Sequence, residues 1–195
     1  MVLSTHVKYA PFATRKRKGY MRDASERDLS VHLETALRGA IITDKWPKSG
    51  VDVVVTIIED DLPQQETLED DVEVWEMMTV LSGCITVASA AIVDAGIDCV
   101  DTVTGGVAAL VASDSPDGGA FVVVDPVIAE HQVIYAACCV AYLPKRDEIT
   151  NLWYRGSPPP VHPTRRHSLI AGAIFASKCA VKAVIASLSE PQSLV

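Results

Sequence analysis

The stretch VIYAACCVAYLPKRDEITNLWYRG, residues 133–156, contains two β-strand patterns in succession. Residues 133–144 form an apolar run that ends at a proline, which is typical of a buried strand. After three polar residues, the β-branched and aromatic side chains of residues 148–156 favour a second strand. This part of the chain therefore predicts a β-sheet.

The neighbouring segments add two strands and a helix. Residues 100–113 and 120–126 have strand composition and are separated by the turn sequence SPDGG. Beyond residue 156, the sequence SPPPVHP favours an extended connection, because proline fixes one backbone dihedral and cannot donate a hydrogen bond. Residues 164–189 then predict a long helix.

The N-terminal half combines both patterns. HVKYAPF, residues 6–12, predicts a short strand, and the β-branched run VDVVVTII, residues 51–58, predicts a buried one. Residues 82–96 are small and apolar, which favours a helix packed between other elements. Residues 26–43 predict a helix with Ser25 as its N-cap. Its apolar residues recur on one helical face: Leu29, Leu33, Ala36, Leu37, Ala40 and Ile41.

The order of these elements indicates the fold class. Strands and helices alternate at first, and four consecutive strands then precede the last helix. Such grouping is typical of an α+β fold rather than a doubly wound parallel sheet. With 195 residues, 49% of them hydrophobic, the chain can bury one sizeable core. We therefore predict a single domain over residues 1–195.

The net charge of -8 is unevenly distributed. Residues 1–50 contain ten Lys or Arg and five Asp or Glu, whereas residues 51–130 contain no Lys or Arg and seventeen acids. Nine of those acids lie in residues 59–78, which predicts an acidic surface insertion whose last part favours a helix. A polyanion responds to the local potential of a patch, so the overall acidity does not exclude nucleic acid as a partner.

Several protein classes are disfavoured by composition. The longest apolar runs extend to about seven residues, against the roughly 20 that a bilayer span needs. The N-terminus lacks the layout of a signal peptide, so we expect a soluble intracellular protein. Five cysteines without CxxC spacing argue against a disulfide framework and a zinc site, and Cys138 and Cys139 are expected to be buried small hydrophobes.

Four stretches, in this order and at these distances, resemble the RNase PH-like ring subunits of the RNA exosome: YAPF at 9–12, WPKSGVDVVV at 46–55, AAIVDAGI at 90–97 and VAYLPKRDEITNLWYRG at 140–156. The resemblance implies the RNase PH fold, of the ribosomal-protein-S5-domain-2-like βαβα type. Within the family, WPKSGVDV followed by an acidic segment is most similar to one particular eukaryotic ring subunit.

The resemblance also indicates where an active member would carry its chemistry. Members that degrade RNA use phosphate as the nucleophile, and they need arginines to neutralise two polyanions and carboxylates for proton transfer or metal binding. Aligned without a gap from ETAL at 34–37, the family's paired arginines fall on Ala24 and Ser25. The two carboxylates, six residues apart, fall on His131 and Ala137.

These four replacements predict a protein that does not cut RNA. A register error of one residue would bring Glu130 to the first acidic position, but no such shift restores an acid at Ala137. An alternative is an active phosphate-dependent 3′-to-5′ exoribonuclease whose carboxylates come from misaligned positions such as Glu130 or Asp125. A further alternative is a degenerate fragment without a role in the ring. We expect no cofactor and no metal ligands.

The loop between the first strand and the first helix is basic. Arg15, Lys16, Arg17, Lys18 and Arg22 form an electrostatic track that we predict to contact RNA, because phosphate contacts need only positive charge within reach. The alternative is a solubilising or partner-facing loop, or a run that resembles a nuclear-localisation signal.

Relative to the family, the chain starts almost at YAPF, so the usual N-terminal strands are expected to be absent. The helix face and the strand at residues 51–58 would then lack a packing partner, and an open sheet edge would favour association.

The function that the resemblance implies is that of a non-catalytic structural subunit of the exosome ring. It would support 3′-to-5′ RNA processing and degradation through subunit contacts and its basic loop. The implied partners are other RNase PH-like ring subunits, RNA-binding cap subunits and RNA, with no membrane. The implied location is the nucleus and nucleolus, and also the cytoplasm.

Overall fold

The computed structural model describes residues 1–13, 23–59, 70–113, 119–127, 130–131, 133–157 and 165–189. Within these ranges the chain forms six strands and three helices, in the order β1 (Val2–Tyr9), α1 (Ala24–Arg38), β2 (Gly50–Ile57), α2 (Asp70–Asp94), β3 (Thr104–Ala112), β4 (Ala120–Val124), β5 (Ile134–Leu143), β6 (Glu148–Gly156) and α3 (Arg165–Ser189). The order confirms the predicted α+β class.

The elements are stacked in four layers. Strands β1 and β2 form a parallel pair, and the other strands form an antiparallel sheet in the order β4-β3-β5-β6. Helices α1 and α2 lie between the two sheets, since α1 contacts β1 and β6 while α2 contacts β2, β3 and β5. Helix α3 covers the outer face of the four-stranded sheet. The larger apolar core therefore lies in the helical layer shared by both sheets.

Two glycines at the start of β3 let helices approach it from both faces. A methyl group on Gly105 would lie 2.3 Å from the Ser82 carbonyl oxygen of α2, and one on Gly106 would lie 2.2 Å from the Ala173 carbonyl oxygen of α3. The adjacent Thr104 hydroxyl is 2.8 Å from the Ser177 hydroxyl of α3. Close packing on both faces, rather than a turn, therefore explains these glycines.

Helix α1 is shorter than the predicted range of residues 26–43. Its predicted apolar face is confirmed, because Leu29 and Leu33 are fully buried. The helix ends at Arg38, and Ile41 instead pairs with Cys99 in an antiparallel bridge. This bridge is formed by two backbone hydrogen bonds, from Ile42 to Asp98 and from Val100 to Ala40, so pairing with the chain beyond α2 replaces the last helical turn that the apolar period predicts.

Helix α2 is longer than its predicted range of residues 82–96, and this corrects part of the acidic segment. Residues 60–69 lie outside the described residues. The prediction of a surface insertion is wrong for the end of the segment, because Trp75, Met77 and Met78 are buried in the core. Acidic neighbours in the sequence obscured an apolar helical face.

The first sheet has one covered and one open face. Strand β1 runs parallel to β2 with Val2 opposite Gly50 and Tyr9 opposite Ile57. The expectation that the face of α1 would lack a packing partner is wrong, since β1 and α2 cover it. The prediction of a buried strand at residues 51–58 is wrong for the outer face of the sheet, where alternate side chains are exposed and Val54 is 57% exposed.

Two helical segments, Val74–Asp94 and Arg165–Ser189, are long and apolar enough to span a membrane by length and composition alone. The expectation from run lengths did not include this, because scattered small polar residues interrupt each apolar run. Each helix packs one face against a sheet, as core helices do. The absence of a membrane partner stays a prediction.

Candidate functional site

The two positions that correspond to the family's arginine pair lie in the first turn of α1. Ala24 is exposed and Ser25 is half-buried. The Ser25 hydroxyl oxygen is buried without a hydrogen-bond partner in the described structure. Neither of these two side chains carries the positive charge of the paired arginines that the resemblance implies here.

The predicted N-cap is wrong by two residues. Asp23 caps α1, and Glu26 completes a capping box by accepting a hydrogen bond from the Asp23 backbone N–H. The wrong assignment arose because the apolar stripe begins at Leu29, whereas the helix itself begins one turn earlier. The Glu26 carboxylate is therefore used to cap the start of the helix.

Glu26 also links the helix to β1. Its side chain is buried, and Oε1 accepts a hydrogen bond of 2.9 Å from the backbone N–H of Tyr9. Because the same carboxylate also accepts from Asp23, it holds both flanks of the basic loop together. Hydrogen bonds to a charged group contribute about 1.5–3 kcal/mol each.

The basic loop itself, with Arg15, Lys16, Arg17, Lys18 and Arg22, lies outside the described residues. Its contact with RNA stays a prediction.

The two positions that correspond to the family's carboxylates lie at different depths. His131 is half-buried ahead of β5. Ala137 is 2% exposed, within β5, and belongs to the core face that packs against α1 and α2. Its cross-strand neighbours are Ala109 on β3 and Arg155 on β6. No carboxylate is next to Ala137 in either paired strand.

The sheet register and the packing of α1 place three of these positions at one end of the fold. Just after the C-terminus of α1, Gly39 lies against the Thr150 side chain of β6. About two helical turns earlier, the His32 ring stacks on the Trp153 ring of the same strand. Helix α1 thus runs along β6 with its first turn toward the end that carries Arg155. Ala24, Ser25 and Ala137 share that end.

The carboxylates that the catalytic alternative would need occupy turns. Asp125 follows β4 in the left-handed region, with φ of 53°, and its N–H donates to the Val107 carbonyl oxygen. Asp tolerates this region better than most residues, which gives the side chain a structural reason to be there. Glu130 is exposed, and its N–H donates to the Val127 carbonyl oxygen. Among the described side chains, no group of three or more His, Cys, Asp or Glu is placed to hold a metal ion.

Burial makes the cysteines of this region unreactive. It raises the pKa of Cys84 to about 11 and that of Cys138 to about 12, and it raises the pKa of Cys139 as well. Cys138 and Cys139 are buried, as predicted for small hydrophobes. Thiolate chemistry at neutral pH is therefore disfavoured at all three.

The sequence did not indicate the pair of aromatic rings that lies between α1 and β6, on the same face of the sheet as Ala137. The His32 and Trp153 rings stack with centroids 4.4 Å apart and planes 14° apart. The Asn151 side-chain nitrogen is 3.2 Å from His32 Nδ1. His32 precedes Leu33 of the apolar face of α1. Its position at the edge of that face is the feature of the sequence from which this contact could have been predicted.

The chain matches the model of the RNase PH family, described as the 3′ exoribonuclease family, domain 1, over residues 1–98. It is 60% identical over 190 residues to exosome complex component MTR3 of Chaetomium thermophilum, covering 97% of this chain and 66% of that protein. It is 28% identical to mtr3 of Schizosaccharomyces pombe, covering 81% of this chain and 55% of the relative. It is 26% identical to human MTR3, covering 73% and 45% respectively. The chain thus spans about half to two thirds of the length of these relatives.

All three relatives are named exosome complex component MTR3. MTR3 is the ring subunit, named for mRNA transport regulation, that WPKSGVDV and the acidic segment are predicted to resemble. Among solved structures, rice Rrp46 superposes with a TM-score of 0.68 at 17% identity, covering 96% of this chain and 74% of that one. At this identity the superposition supports the fold alone, and it confirms the predicted RNase PH fold.

Proposed function

Because the chain belongs to the RNase PH family, we propose that it is a non-catalytic structural subunit of the RNA exosome ring. In this role it supports 3′-to-5′ RNA processing and degradation by holding neighbouring subunits. Its partners are other RNase PH-like ring subunits, RNA-binding cap subunits and RNA. Its location is the nucleus and nucleolus, and also the cytoplasm.

The observation that carries the proposal is the packing of Ala137. The position lies on the face of β5 that α1 and α2 cover, and its neighbours on both paired strands lack carboxylates. With Ala24 and Ser25 in place of the paired arginines that the resemblance implies, this supports the absence of the charged groups that phosphorolysis uses. The names of the three relatives support the assignment to an exosome complex.

A phosphorolysis assay tests the absence of catalysis. Purified protein is incubated with 3′-tailed RNA and inorganic phosphate, and nucleoside diphosphates are measured by chromatography. We expect no release above buffer. Release that is lost in Glu130→Gln or Asp125→Asn would contradict the proposal and favour the catalytic alternative, because each amide keeps the shape of the side chain and removes only its charge.

A separate experiment tests the basic loop. The variant with Arg15, Lys16, Arg17 and Lys18 replaced by glutamine is compared with the parent chain for binding of single-stranded RNA at several salt concentrations. Loss of phosphate contacts should lower the slope of log affinity against log salt by about 0.7 for each contact removed. An unchanged slope would assign the loop to solubility or to a protein partner.

A further inference from the structure

The two edge strands of the four-stranded sheet, β4 and β6, differ in length and in how they are covered. Strand β4 is five residues long, and at its start the Arg165 guanidinium donates to the Ala120 carbonyl oxygen. Strand β6 is nine residues long, contains no Lys or Pro, and no described strand pairs with its outer side. Natural edge strands are usually short, charged, bulged or covered. Strand β6 has a charged residue near each end and a register shift opposite its first residues, but its stretch from Asn151 to Tyr154 is regular and uncharged, so this stretch is the less protected edge.

The backbone of β6 presents hydrogen-bonding groups outward at known positions. The Ser157 N–H donates inward to the Tyr135 carbonyl oxygen at 3.0 Å. Because inward and outward groups alternate along an antiparallel strand, Arg155 and Trp153 also bond inward, and Leu152 and Tyr154 direct their N–H and C=O groups outward.

Apolar side chains flank this edge on both faces of the sheet. On the side of α3, Leu152 is 46% exposed and Ile149 is 42% exposed. On the side of α1, Val31 is 62% exposed and lines a groove of about 410 Å³ together with Thr35 and Gly39. A strand added at this edge would bury apolar surface on both of its own faces.

The charges near the edge define the chemistry of the strand that fits. Glu34 pairs with Arg38 on α1, and Arg146 pairs with Glu148 at 2.8 Å. Arg155 is exposed and has no carboxylate partner in the described structure. On the α3 side, the Arg166 guanidinium lies 5.7 Å from the centre of the Tyr154 ring, so positive charge is present at the end of the edge that carries Tyr154 and Arg155.

We propose that β6 accepts an extended segment of a neighbouring ring subunit, apolar beside Leu152 and carrying a carboxylate opposite Arg155, so that the sheet continues from one subunit into the next. The inference rests on the proposed function, because it assigns the surface through which the chain holds one neighbour. Main-chain hydrogen bonds provide affinity in such strand addition, and alternate side chains provide specificity.

A proline substitution tests the edge directly. Leu152→Pro removes an outward N–H that no described strand uses, and proline is tolerated at such positions on edge strands. Val124→Pro is the matched control on β4, where the inward bond of Asp125 to Val107 places the Val124 N–H outward. Each variant is co-expressed with the RNase PH-like ring subunits of the same exosome, and affinity is measured after far-UV circular dichroism has confirmed folding.

We expect Leu152→Pro to weaken the affinity for the ring subunits by at least about tenfold. Val124→Pro should bind them with the same affinity as the parent chain. Arg155→Glu, which alters an exposed side chain, should weaken association even if the proline variant does not fold. Hydrogen–deuterium exchange should show protection of the Leu152 and Tyr154 amides in the complex and not in the free chain.

Three outcomes would overturn the inference. If the ring assembles with Leu152→Pro and Arg155→Glu as tightly as with the parent, or without protection of β6, the surface is wrong while the proposed function stands. If the free chain dimerises and protects β6 by itself, the occupant is a second copy. If the parent chain does not associate with ring subunits at all, the proposed function fails as well.

Discussion

At the residue scale, the structure is most informative where a side chain of a type common in active sites has a structural role instead. Glu26 lies beside the degenerate arginine positions, yet its carboxylate is occupied by two backbone N–H groups. Its partner Tyr9 is seventeen positions away along the chain. A contact of this separation leaves no local pattern, so it could not be predicted.

Replacement of Glu26 should therefore affect stability. Glu26→Ala leaves two backbone donors without a partner, and we expect the free energy of unfolding to fall by about 2–4 kcal/mol. Glu26→Gln keeps one acceptor oxygen and should cost about 1 kcal/mol. Urea denaturation measures both, with the exposed Asp28→Asn as the control. If Glu26→Ala and Asp28→Asn lower the free energy of unfolding equally, Glu26 does not have this structural role.

The buried cysteines make stability depend on alkaline pH. Burial raises the pKa of Cys84 and Cys138 from about 9 to about 11 and about 12. The unfolded chain therefore loses these protons first, so their contribution is fully present below pH 9 and is lost as the pH rises through the folded values. Each thiol changes the free energy of unfolding by up to about 1.4 kcal/mol per pH unit in that window.

Urea denaturation at pH 8 and pH 10 should show this loss, and Cys138→Ala should reduce it. In the native protein at pH 8, the exposed Cys179 should react with a thiol reagent while Cys84, Cys138 and Cys139 stay protected until unfolding. Fast reaction in the native state of any thiol other than Cys179 and the half-buried Cys99 would contradict the burial described.

At the scale of elements, the sequence predicted types better than boundaries. The strand at residues 148–156 was placed at its observed limits, because polar residues precede it and proline-rich sequence follows. The start of α2 was missed because acidic residues surround Trp75 and mask its apolar face. Gly105 was not recognised as a packing residue, since close approach of two helices is a tertiary property.

The glycines of β3 and α2 provide a matched test of this packing. Gly105→Ala places a methyl group 2.3 Å from the Ser82 carbonyl oxygen, and we expect a loss of about 1–3 kcal/mol of stability. Gly83 lies in α2 with nothing within 4 Å of the added methyl, so Gly83→Ala should gain about 0.5–1 kcal/mol from helix propensity. Thermal unfolding measures both, and a change of the same sign in the two variants would count against the packing model.

At the scale of the whole molecule, the arrangement of layers was not available from the sequence. Periodicity indicated four strands in a row, but it gave neither the order β4-β3-β5-β6 nor the parallel pairing of β1 with β2. Both depend on contacts between distant segments. The resemblance of four motifs to one family supplied the fold that local patterns alone did not determine.

The shared helical layer predicts a single cooperative unfolding transition. Helices α1 and α2 each contact both sheets, so neither sheet can lose its partner without exposing the common core. Tryptophan fluorescence, which includes Trp153 on the second sheet, and far-UV circular dichroism should give the same urea midpoint. Separate midpoints would divide the chain into two units and contradict the prediction of one domain over residues 1–195.

The parallel pairing of β1 and β2 also has a consequence for synthesis on the ribosome. Ser4 and Asp52 are joined across 48 positions of sequence, whereas β5 and β6 are linked by a short turn. During translation β1 must wait until β2 and the intervening helix have emerged, and long-range pairing of this kind is intrinsically slow. Strand β1 thus stays unpaired during synthesis for longer than β5 does, and it is the strand of the two that more needs a chaperone.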